Sequence, residues 1–145
     1  MVSDRTDLYN PSLTYKRMPG IHNTVLVGDN TFEVLKNVIM EFNTQCADYM
    51  NEITNAVPPY LKVGTTAYNQ QVEHKQKHPN LNQSYQAIDV LNARQGGGYY
   101  YVWVTEILNV VENGTSKTAA NHWVYKIEND NGQWYICDYT ADPAF

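Results

Sequence analysis

His74 and His78 stand four residues apart in a segment of helical composition, a spacing that sets two imidazoles on one helix face at chelating distance. Glu73 could add an oxygen, but the segment is polar, ends at Pro79 and brings no third strong ligand. It reads as a solvated helix end, and no metal is assigned. Cys46 and Cys137 lie far apart without CxxC or Cys/His spacing, which leaves two thiols or one disulfide, separate thiols being favoured. Gln95-Gly96-Gly97-Gly98 lacks the Lys-Ser/Thr of a phosphate loop and opens no helix, so it is a turn. The sequons at Asn82 and Asn113 also read as turn residues, and the strand end from Glu106 to Glu112 as solvated acidic surface. Tyr99-Tyr100-Tyr101-Val102-Trp103 is the densest aromatic run. Rings with polar tips stack on sugars and pack against proteins, which makes Tyr99, Tyr100, Tyr101 and Trp103 the candidate binding residues. No cofactor is expected.

These groups have to be placed by a chain of 145 residues, the size of one ordinary domain. With 43% apolar and 12% aromatic residues it can bury enough surface to offset its ordering entropy. A net charge of −5 argues against nucleic acid or an anionic membrane surface as the main partner, because both call for a Lys/Arg excess. No run approaches the roughly 20 apolar residues of a membrane helix, and residues 1–20 carry no secretory apolar core. The chain as given is therefore expected to be soluble, with any membrane attachment made through a segment outside it.

Residues 1–23 are punctuated by Asn10-Pro11 and Met18-Pro19-Gly20 without periodicity and read as a flexible arm or linker, leaving residues 24–145 as the domain. Residues 24–27 form a short apolar run suited to an edge strand or a staple. Asn30 and Glu33 have capping-box spacing and predict a helix from about Thr31. Phe32, Leu35, Val38, Ile39, Phe42, Cys46, Tyr49, Met50 and Ile53 give it one apolar stripe, and it should stop near Asn55, ahead of Pro58-Pro59. A shorter helical segment follows Pro58. Beyond Asn80 the pattern alternates, with strands predicted over 85–93, 99–111, 121–128 and 134–139 and turn chemistry between them. Helices first and strands after argue an α+β domain whose antiparallel sheet curls around its helices. Trp134 and Ile136, with Trp123, Tyr125 and Ile127, supply the wall for the helix stripe. On the aromatic strand, Tyr101 and Trp103 are assigned to the concave, helix-facing side. Tyr100 is assigned to the convex side, where a partner or second subunit could meet it.

This order resembles the NTF2-like cone fold, in which a strongly bent sheet wraps a layer of helices. Asn131-Gly132-Gln133-Trp134-Tyr135-Ile136-Cys137-Asp138-Tyr139 looks like that superfamily's closing strand. Val57-Pro58-Pro59-Tyr60-Leu61-Lys62-Val63-Gly64-Thr65-Thr66-Ala67-Tyr68 is similar to the segment after the first helix in extracytoplasmic NTF2-like domains of Gram-positive bacteria. Nearest among these are the C-terminal domains of TcaA-type membrane proteins, associated with teicoplanin resistance. The resemblance covers residues 31–140.

It implies a non-catalytic, extracytoplasmic binding or accessory domain of a bacterial cell-envelope protein, with a protein or cell-wall component as partner. The alternative it implies is a small cavity enzyme of isomerase or dehydratase type, using acid-base groups drawn from His122, Asp138, Tyr101, Tyr125 and Tyr139. Alternation sets His122 opposite Trp123 and Tyr125, and gives Asp138 the parity of Trp134 and Ile136. No carboxylate pair or His–Asp dyad is spaced for catalysis, so no catalytic residue is assigned. A third reading is a homodimer paired through the open sheet.

Overall fold

In the computed structural model, residues 18–141 are described. Helix α1 (Asp29–Met50) and helix α2 (Thr66–Lys77) precede four long strands, β2 (Leu81–Gly96), β3 (Tyr99–Glu112), β4 (Thr115–Asp130) and β5 (Gln133–Ala141). A short strand β1 (Val25–Leu26) pairs with β2, so that one antiparallel sheet runs β1-β2-β3-β4-β5. Two hairpins turn on Asn113-Gly114 and Asn131-Gly132, whose paired positive φ angles match the right-handed twist of the flanking strands. Pairing shifts in β2, near Gln86 and Leu91, and in β5 at Cys137 mark bulges, which bend strands and increase their twist.

Helix α1 lays Leu35, Val38, Ile39, Phe42 and Cys46 against Val102 and Val104 of β3, Tyr125 and Ile127 of β4, and Ile136 of β5. Trp123 and Trp134 pack around that core, as the expected wall requires. The helix begins earlier than the capping pattern predicts, with Gly28 at the cap position and no side-chain cap. It also ends earlier, at Met50: the Asn51 side chain donates to the Gln83 carbonyl at 2.8 Å and accepts from the Gln83 amide at 2.7 Å, tying the helix end to β2. Ile53, predicted in the stripe, is therefore 73% exposed. Helix α2 is capped by Thr65, whose hydroxyl accepts from the Tyr68 amide at 3.2 Å. The sequon at Asn82 lies inside β2 and not in a turn.

The faces of β3 are the reverse of the assignment made from the sequence. Tyr100, Val102 and Val104 face the helices, whereas Tyr101 and Trp103 lie on the convex side, at 2% and 0% exposure. A 3-10 helix (Pro19–Asn23) makes this possible: Ile21 and the preceding Met18 cover Tyr101, Trp103 and Val124 in a second apolar cluster. Residues 18–23, expected to belong to the arm, are thus part of the packed body, while residues 1–17 lie outside the described residues. Arg94 fixes this segment, donating to the Thr24 hydroxyl at 2.9 Å and the Thr24 carbonyl at 2.8 Å. Tyr99 and Tyr100 stay half-buried, Tyr100 edge-on to Trp134 with centroids 5.2 Å apart. Among the described residues no helix is long and apolar enough to cross a membrane.

Candidate functional site

Along β3 the concave positions read Val102, Val104, Glu106, Leu108 and Val110. An acid therefore occupies one rung of an apolar ladder and is carried into the cone. Glu106 is 3% exposed, which corrects its reading as solvated surface. Trp123 Nε1 donates to Glu106 Oε1 at 3.0 Å and the Tyr125 hydroxyl donates to Oε2. Asn43 on α1, whose amide donates to the Ile39 carbonyl at 2.9 Å, lines the same cavity and also favours the ionised carboxyl. Burial pushes this carboxyl up from its ordinary 4.5 to about 7, and Tyr125, Asn43 and Trp123, which favour the ionised form, restrain the rise. Burial and the Glu106 charge push the Tyr125 hydroxyl and the Cys46 thiol well above their ordinary ranges.

Glu106 lies in the wall of a cavity of about 450 Å³ between α1, α2 and the sheet. Rings from four elements share that wall: Phe42, Tyr85, Trp123 with Tyr125, and Tyr139. Tyr139 packs edge-on to Trp123 at 5.3 Å and tilted against Tyr125 at 5.6 Å. The polar lining is dominated by amides, including Asn43, Gln70, Gln71, Gln83 and Asn121. Lys77 and His74 of α2 are the basic residues in the lining. Lys77 Nζ is 2.8 Å from Glu73. The His74 ring lies tilted against His78 with centroids 4.9 Å apart and is held below its ordinary value, first by partial burial and then by His78. His78 in turn places Nδ1 2.7 Å from Glu112 Oε2. The two imidazoles do sit together as their spacing implied, and their acidic neighbour is Glu112 on β3 and not Glu73.

Of the acid-base candidates, Tyr125 and Tyr139 reach the cavity. Tyr101 lies on the convex side. His122 pairs across the sheet with Thr105, its Nδ1 3.1 Å from that hydroxyl, in the convex register that alternation predicts. Asp138 loses the parity of Trp134 and Ile136, because the bulge at Cys137 advances β5 by one residue and gives the concave position to Tyr139. The two cysteines are free thiols, Cys46 buried beside the cavity and Cys137 at 3.4 Å from the Lys126 carbonyl. Of the aromatic binding candidates, Tyr101 and Trp103 are covered. Tyr99 and Tyr100 line a second, more open depression with Asn23, Val25, Gln95 and Asn129. Alternation reads Tyr125 into the cone; Glu106 was legible only as the acid in its apolar ladder.

A solved structure, the intermembrane space region of the chloroplast protein ARC6, shares the architecture at a TM-score of 0.59 and 10% identity, over 76% of this chain and 95% of that one. At that identity the likeness concerns fold alone. A comparison with curated proteins gave no significant match. The sequence over residues 32–140 matches the family described as the TcaA protein NTF2-like domain. That span holds both helices but for the first turn of α1, the four long strands but for Ala141 of β5, and every residue named around Glu106, and the chain belongs to this NTF2-like family.

Proposed function

We propose that this chain is a non-catalytic, extracytoplasmic accessory domain of a cell-envelope protein and that it binds a cell-wall component in its cone cavity. Family membership supports the envelope setting. The observation that carries the binding role is the fixing of Glu106: Trp123 and Tyr125 each hold one of its oxygens. A carboxyl fixed in this way is pre-oriented to pair with a ligand group that donates to its remaining lone pairs. The surrounding amides and tyrosines suit sugar or peptide units, which offer both hydrogen-bonding groups and apolar faces.

Titration of the 145-residue chain with soluble muropeptides and teichoic acid oligomers, followed by Trp fluorescence, tests the reading. Saturable change with fragments recovered at unaltered mass is expected; no response to any fragment refutes it. The catalytic alternative draws on one observation, a buried carboxyl poised near neutrality beside Tyr125. Turnover of a fragment that disappears in Glu106→Gln would establish it instead.

A further inference from the structure

Glu106 is a buried acid whose partners are all neutral donors. The groups facing it from α1 and the sheet are Asn43 and Cys46 of α1, Tyr85 of β2, Trp123 and Tyr125 of β4, and Tyr139 of β5. Each of the titratable groups among them is a weak acid, and burial raises Cys46, Tyr85 and Tyr125 further, so none supplies positive charge. From α2 the lining adds Glu73, His74 and Lys77: the Lys77 ammonium is paired with Glu73 on its own helix, and burial together with His78 holds His74 toward its neutral form. An ionised carboxylate inside a ring of aromatic side chains is complementary to a cation, which gains both direct charge attraction and interaction with the ring faces.

We propose that the cone cavity recognises a primary ammonium group of its ligand, which enters among Tyr85, Trp123, Tyr125 and Tyr139 and pairs with the Glu106 carboxylate. This rests on the cavity-binding reading above and names the group that the cavity selects. A primary ammonium suits the site better than a quaternary one. Its N–H groups can donate to the acceptor capacity of Glu106 that Trp123 and Tyr125 leave over, and to the remaining lone pair of the Gln71 carbonyl in the same lining, which accepts from the Tyr139 hydroxyl at 3.4 Å. The same carboxylate repels anions, so a carboxylate or phosphate group of the ligand is kept out of the ring of aromatic side chains.

The test compares n-butylammonium chloride, 1-butanol and sodium butyrate on the intact chain, by Trp fluorescence and chemical-shift titration. Butylammonium should bind at least tenfold more tightly than butanol, and butyrate should not bind. Butylammonium stays charged across the pH range, so its affinity should rise about thirtyfold between pH 5.5 and 8.5 as a carboxyl of pKa about 7 ionises. Glu106→Gln should remove that rise and the preference over butanol. Equal binding of amine and alcohol by the wild-type chain, or no binding of the amine, overturns the proposal without reliance on the variant. Wall fragments with native or acetylated amines separate the two readings. If both forms bind alike, the cavity reading stands and ammonium selection falls; if neither fragment nor butylammonium produces a change, both fall.

Discussion

Burial of Glu106 ought to make the stability of the domain fall as pH rises. Its folded value of about 7 lies above the ordinary 4.5, so between those limits the folded chain keeps a proton that the unfolded chain has lost. At about 1.4 kcal/mol for each pH unit crossed, the contribution is fully present below pH 4.5 and about 3 kcal/mol of it is gone above pH 7. His74 acts in the opposite sense, because its folded value is lowered and its contribution is lost as pH falls. The decisive quantity is therefore the difference between the wild type and Glu106→Gln, which retains the side-chain shape and the His74 effect while removing the titration. Urea unfolding followed by Trp fluorescence from pH 4.5 to 8.5 should show the wild type losing about 3 kcal/mol relative to the variant, with the difference levelling above pH 7. A difference constant to within about 1 kcal/mol across this range would refute the assignment of Glu106 as a buried carboxyl without a cationic partner.

Removal of residues 1–23 should destabilise the domain by about 3–6 kcal/mol, since it strips two fully buried apolar side chains, Met18 and Ile21, from the convex cluster; the free energy of denaturant unfolding measures it. Trp103→Ala should cost about 3–5 kcal/mol by opening that cluster from beneath, and Tyr100→Ala about 1–3 kcal/mol through lost contact with Trp134, both read from the same unfolding curves.

The helix–sheet order, the hairpin turns and the stripe from Leu35 to Met50 were all legible because each rests on a local period or a local turn preference. Three features were not legible, each for its own physical reason. The C-terminal end of α1 is set by Asn51 bonding to β2, a contact between residues 32 apart that no local pattern encodes. Asp138 and Tyr139 exchanged faces through a bulge, which resets alternation without altering composition. The faces of β3 could not be ranked because both are apolar, and what distinguishes them is a segment, residues 18–23, that has no periodicity of its own. Within the candidate site, Tyr125 followed from parity. Glu106 required its register to be taken from Val102, Val104 and Leu108 before its charge was weighed.

The two-sided character of β3 also bears on how the chain avoids misalignment. A strand with one greasy and one polar face is held in frame because a single-residue slip would throw its apolar set into water. From Tyr99 to Val104 that safeguard is weak: a slip exchanges Tyr100, Val102 and Val104 for Tyr101 and Trp103, bulk for bulk. The penalty falls instead on Glu106. One step out of frame would carry it away from Trp123 and Tyr125, and leave their donors facing an aliphatic or hydroxyl neighbour in its place. The polar group that equips the cavity for a ligand thus also acts as the key that admits one alignment of the central strand.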